Sequence, residues 1–275
     1  MRCRCHGVEV TGGNYKDVLI YPEYREQTRR GRRKKWCPST EDQEQRNQWH
    51  AEMHFKGLVH ANFTEEDETR TYTFADEHNP ETKEQAKRAW VNYVRKDKAY
   101  RARNGLPQLE YLYCIEQSEI KCRWHVHAIM RGGMLSNDVH RLWGNGIVNI
   151  SPLCVDLQNG LAALSVYLSK PGKNKRRWTP SKGLKQPERV DRPNFITQKK
   201  ALEIASSPDD RQAIEALFPG WRVAGDGCKV YHSRYDDRPI IHASLYRDTR
   251  RTRARPSAQG KSESPPAAAA YTLRR

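Results

Sequence analysis

Residues 109–130 read LEYLYCIEQSEIKCRWHVHAIM. Two runs rich in β-formers, 109–116 and 124–130, flank a short, mostly polar link, and the economical reading is a hairpin. His125 and His127 are two apart on a strand, so both imidazoles project from one face. With the hairpin centre near residues 120–121, Glu116 stands opposite His125, and directly opposed residues share a face. Glu116, His125 and His127 then converge as one carboxylate and two imidazoles with open coordination positions. That donor set suits Mn²⁺ or Mg²⁺, and zinc fits the same ligands, so ligand type alone leaves the metal open. A His-x-His on a strand is also common as a pair of surface imidazoles. The carboxylate on the paired strand is what strengthens the metal reading.

Working outward, Thr71-Tyr72-Thr73-Phe74 reads as a preceding strand. Asn79-Pro80-Glu81 reads as an N-cap, a proline at the first helical position and an acidic first turn. Ala86, Trp90, Tyr93 and Val94 follow at i, i+4, i+7 and i+8, one face of an amphipathic helix that Gly105-Leu106-Pro107 ends. After the hairpin, Ser136-Asn137-Asp138 opens a short helix through Val139, Leu142 and Trp143, stopped by Gly144. Residues 147–150 form a fourth strand. Residues 156–169 form a helix carrying Leu161, Leu164 and Leu168, stopped by Pro171-Gly172. The order β-α-β-β-α-β predicts an α+β protein, a ferredoxin-like or RRM-like antiparallel sheet flanked by helices, with the first and third strands central. Four regions follow: a basic N-terminal segment over 1–65 with a helix near 43–56, a core over 66–175, a basic extension over 176–248, and a low-complexity tail over 249–275 expected to be disordered. Phe218-Pro219-Gly220-Trp221 and residues 231–245 are candidates for further structure in the extension. No internal repeat is present.

The chain has 275 residues and a formal net charge of +16, from 49 Lys+Arg against 33 Asp+Glu. The excess is concentrated in residues 171–275, with 23 basic and 11 acidic side chains. A basic surface attracts polyanions, of which nucleic acid is the commonest. The run Arg29-Arg30-Gly31-Arg32-Arg33-Lys34-Lys35 reads either as a phosphate clamp or as a solvated arm. No stretch reaches the roughly 18 apolar residues of a membrane span. No apolar region follows Met1, and seven cysteines form no even framework, so a reducing, cytoplasmic location in a prokaryotic host is expected. Cys3, Cys5 and His6 with Cys37 lack the paired spacing of a zinc site. His50, His54 and His60 are irregularly spaced. No G-x-x-x-x-G-K-[ST] loop is present, so no helicase is read in this chain.

Tyr167 and Lys170 share a helix face at i, i+3. Alone this pair says little. With the strand, the carboxylate and the His pair in this order, the sequence resembles the HUH endonucleases, the rolling-circle replication initiators of phage and plasmid type. Thr71–Phe74 resembles their first motif, His125-Val126-His127 the His-hydrophobe-His motif, Cys114-Ile115-Glu116 the strand ending in a metal-ligating Glu, and Tyr167-Leu168-Ser169-Lys170 the Tyr-x-x-Lys motif. Trp143-Gly144 and Ser181–Leu184 with Pro187 are lesser landmarks. Position 72 is Tyr where the family usually has an aliphatic residue, a change expected to affect packing. The single tyrosine in the catalytic helix does not support a two-tyrosine mechanism.

The resemblance implies that Tyr167 attacks a DNA phosphate held by a Mn²⁺ or Mg²⁺ ion at Glu116, His125 and His127. Lys170 would favour the phenolate or hold the phosphate. It implies single-stranded DNA or an origin hairpin as substrate, and a host helicase and polymerase as partners. Lys173, Lys175, Arg176 and Arg177 would guide the strand. Two other classes compete. A non-catalytic RRM-like nucleic-acid-binding protein would need Tyr72 and Phe74 exposed for stacking. A two-histidine phosphoesterase would use His-x-Ser/Thr motifs, which His242-Ala243-Ser244 fits but neither His125 nor His127 does.

Overall fold

The structure is a computed structural model that describes residues 4–23, 41–118, 122–153, 178–233 and 237–247. The chain runs β1 (Arg4–Gly12), β2 (Tyr15–Pro22), α1 (Glu41–Asn62), β3 (Glu68–Thr73), α2 (Lys83–Arg103), β4 (Tyr111–Gln117), β5 (Trp124–Met130) and α3 (Ser136–Trp143). It continues through β6 (Val148–Pro152), β7 (Thr179–Pro180), β8 (Glu188–Thr197), α4 (Gln198–Ser206), α5 (Arg211–Glu215), β9 (Trp221–His232) and β10 (Pro239–Arg247). No helix among the described residues is long and apolar enough to cross a membrane.

The fold is α+β, with two five-stranded antiparallel sheets. The first has the order β6-β3-β5-β4-β7, so the expected β-α-β-β-α-β unit is present with β3 and β5 at its centre. One face of this sheet carries Tyr72, Tyr113, Val126, Ala128 and Met130 and packs against Trp90, Tyr93 and Trp143 of α2 and α3. The expected helix start at Asn79 moves to Thr82. Thr82 Oγ1 accepts from Gln85 N and Gln85 Oε1 accepts from Thr82 N, a capping box that satisfies two end groups at once. Asn79 instead accepts from Trp124 N at the start of β5.

The second sheet has the order β8-β1-β2-β10-β9 and joins strands from both ends of the chain. The sequence reading has no strand before residue 71, yet β1 and β2 form a hairpin across Gly13-Asn14, with Gly13 at φ 57°. Their pattern is hard to read because both faces are buried. Val18, Leu19 and Ile20 form a continuous apolar run, with no alternation to mark a strand. α4 and α5 cover one face through Ala201, Ile204 and Ile214.

α1 lies between the two sheets. Trp49 and Met53 pack on Val8, Val10 and Leu19 of the second sheet. Phe55, Leu58 and Val59 pack on Leu112, Cys114 and Ile129 of the first. The approach to β1 is close: a Cβ added at Gly12 would sit 1.9 Å from the Gly57 carbonyl oxygen.

Asp17 is fully buried in this layer. His242 Nε2 and Ser244 Oγ each lie 3.0 Å from Asp17 Oδ1, and Lys56 Nζ lies 3.6 Å from Oδ2. The His-x-Ser pair that suggested a phosphoesterase is therefore engaged with a buried carboxylate. Burial alone would push the Asp17 carboxyl up, but Lys56, His242 and Ser244 outweigh it and hold it well below the usual carboxylate range. A lowered native pKa gives stability that is fully present above the unfolded value of about 4 and is lost as the pH falls below it. Asp17→Asn is expected to destabilise the protein by about 3 kcal/mol in urea unfolding at neutral pH. The gap from the wild type should close only in acid below that unfolded value.

Candidate active site

The site is built on the face of the first sheet that looks away from α2 and α3. In the pairing of β4 with β5, Glu116 stands opposite His125 and Cys114 opposite His127. In the pairing of β3 with β5, Thr71 stands opposite His127 and Thr73 opposite His125. The register expected from the sequence is the one observed, and Glu116, His125 and His127 share a face. All three are partly exposed.

His127 is held on both sides. Its Nδ1 lies 3.1 Å from Thr71 Oγ1, and its Nε2 lies 4.0 Å from Glu116 Oε2. When Nδ1–H donates to the Thr71 hydroxyl, the Nε2 lone pair faces the carboxylate, the tautomer a metal ligand requires. The sequence reading has Thr71 only as part of a strand motif. Its phase opposite Tyr72 and Phe74 is the signal that puts it beside the histidines. The rings of His125 and His127 stand 6.3 Å apart and nearly parallel, at 20°. Burial first, and the Arg123 guanidinium second, lower the His125 imidazole below its ordinary pKa, which keeps it a neutral donor.

The donor set fits a divalent cation in chemistry. The 4.0 Å between Glu116 and His127 lies within the span of two metal–ligand bonds of about 2.1 Å each. Among the described residues, no three His, Cys, Asp or Glu side chains form a ready group for an ion. The parallel rings must tilt toward each other for His125 to join His127 on one ion.

Cys114 lies in the same row, with Sγ 4.0 Å from Glu116 Oε1. Burial, reinforced by the Glu116 charge, pushes its thiol up to about 12. It is a packing residue and not a thiolate ligand. Cys5 and His6 are adjacent on β1 and point to opposite faces, so they do not act together. Cys3, Cys37, Tyr167, Lys170, Lys173, Lys175, Arg176 and Arg177 lie outside the described residues.

The register also tests the RNA-binding alternative. Tyr72 and Phe74 are buried against Trp90, Trp143 and their neighbours. The histidine face presents Thr69, Thr71 and Thr73, then Cys114 and Glu116, then Asn149 and Ser151. No Phe, Tyr or Trp of β3 to β6 lies on it, so a stacking platform is missing there.

Residues 67–172 match the model of a replication-associated protein family, the one described by its ORF2 member. The matched region takes in Glu116, His125 and His127 and extends through Tyr167 and Lys170. No curated protein and no solved structure matches the chain. The family match supports a role in replication initiation.

Cys114 should resist alkylation in the native protein at neutral pH, while the exposed Cys122 reacts. Peptide mapping after brief iodoacetamide treatment reads this directly. Equal labelling of the two would contradict the burial and the raised pKa of Cys114.

Proposed function

We propose that this protein is an HUH-type endonuclease that nicks and rejoins single-stranded DNA to start rolling-circle replication. The observation that carries the reading is the register that gathers Glu116, His125 and His127 on one open sheet face, within the region matched by a replication-associated family. A second observation concerns the segment 154–177, which contains Tyr167. Its flanking residues, Leu153 and Trp178, both pack with Leu112, Cys114 and Ile129 on the histidine face. A segment tethered there at both ends suits a tyrosine that must reach the histidines.

In this reading Glu116, His125 and His127 hold Mn²⁺ or Mg²⁺, with Thr71 fixing the His127 tautomer. When bound, such an ion neutralises phosphate charge and makes the phosphorus more electrophilic. Tyr167 Oη forms a bond to phosphorus as the P–O3′ bond breaks. The phenol loses its proton and the departing 3′ oxygen gains one, leaving a 5′-phosphotyrosyl link and a free 3′-hydroxyl. A free phenol has a pKa of about 10, so Lys170 is assigned to favour the phenolate or to hold the phosphate. The covalent link conserves the bond energy, so attack by a 3′-hydroxyl reseals the strand without a nucleotide cofactor. The free 3′ end is suited to a host polymerase, with strand separation left to a host helicase.

The test is incubation of the full chain with single-stranded DNA from its own replicon and Mn²⁺, followed by denaturing electrophoresis. Wild type is expected to give a covalent protein–DNA adduct that Tyr167→Phe loses. An adduct that persists in Tyr167→Phe overturns the nucleophile assignment. His127→Ala should abolish cleavage, and Thr71→Val should weaken Mn²⁺ binding at least about tenfold while Thr71→Ser retains it. Metal-independent cleavage by His127→Ala would contradict the proposed ion site.

A further inference from the structure

The far side of the molecule carries a second charged feature. The inner face of α2 buries Ala86, Trp90, Tyr93, Val94, Asp97 and Arg101. Its outer face presents Lys87, Arg88, Arg95, Lys96, Lys98 and Arg103, all exposed. Glu84 is the one acidic residue of the helix on that side, because Asp97 is buried and paired with Arg101 and Arg70. Lys87, Arg88, Arg95 and Lys98 make no ion pair with the described residues. The basic positions from 87 to 103 extend about 24 Å along the helix at about 1.5 Å per residue. Side-chain repulsion along such a row costs free energy that a polyanion removes.

We propose that the outer face of α2 binds the phosphate backbone of duplex DNA, separately from the histidine face. Three features choose this occupant. The row is cationic, so the partner is a polyanion. Its exposed positions hold no aromatic ring, since Trp90 and Tyr93 are buried and Tyr100 donates to Asp138. A single strand is gripped by stacking as well as charge, and this face offers charge alone. Duplex DNA packs two strands of phosphates onto one axis, about one charge per 1.7 Å, and rewards a straight cationic row most. The first sheet separates α2 from Glu116 and the histidines, so the two faces contact different stretches of nucleic acid. This assignment rests on exposure and charge and is independent of the nicking chemistry.

The experiment compares the full chain with the triple variant Arg88→Gln, Arg95→Gln, Lys98→Gln. Binding is read by fluorescence anisotropy on a random duplex of about 30 base pairs, between roughly 50 and 200 mM NaCl. A single strand of about 15 nucleotides serves as the second probe. All three side chains are exposed, and circular dichroism and thermal unfolding verify that the variant folds. Duplex affinity is expected to fall at least about tenfold, and the slope of log K against log salt to drop by about 2 to 3. Single-strand binding should change less than about twofold, because any stacking elsewhere is untouched. Unchanged duplex binding would mark the row as a solvated face. Equal losses on both probes would overturn the duplex assignment.

Discussion

In an antiparallel pair, a slip of one residue sends every side chain to the opposite face. The first sheet depends on this constraint. Tyr72 and Val126 point into a core of Trp90, Tyr93 and Trp143, while Thr71 and His127 point away from it. A slip of β5 would bury the imidazoles among aromatic rings and expose Val126 and Met130. Arg70 adds a polar lock. It is fully buried, bonded to Glu68 and to the hydroxyls of Tyr72 and Tyr93, and paired with Asp97. A buried guanidinium tolerates no register that removes its partners. The aromatic core on one face thus fixes the grouping of Glu116, His125 and His127 on the other.

The second sheet serves the site indirectly, through α1. That helix is clasped between the sheets, with Gly12 allowing its backbone to approach β1. Its Phe55, Leu58 and Val59 cover the Leu112 and Ile129 end of the histidine face. Glu116 and His125, further along the same strands, keep partial exposure. The helix that closes the core therefore also sets which half of the face meets solvent.

The first sheet is legible in the sequence because its strands obey simple periods. The hairpin over 109–130 has two β-forming runs and a polar link, and the alternation of His125, Val126 and His127 already separates the two faces. α3 announces itself with Ser136-Asn137-Asp138 and ends at Gly144, which adopts φ 64°. The start of α2 is easily misplaced because Pro80 looks like a first-turn proline, although the Thr82–Gln85 box is equally readable. The second sheet escapes a sequence reading for a physical reason. β1 and β2 are buried on both faces and lose their alternation, and the strands they pair with lie some 170 to 230 residues away in sequence. At the site, Glu116, His125 and His127 are readable from the hairpin register. The bond between Thr71 and His127 is not, because it needs the β3–β5 pairing, which sequence period alone does not fix.

The ion site is probed most directly by a Mn²⁺ titration of the isotope-labelled protein, following histidine side-chain signals by nuclear magnetic resonance. Paramagnetic broadening falls off steeply with distance from the ion. His125 and His127 are expected to broaden first and together, ahead of His50, His54 and His60 on α1. Broadening that begins at the α1 histidines, or that spreads evenly over all of them, would contradict an ion held by Glu116 and the histidine pair.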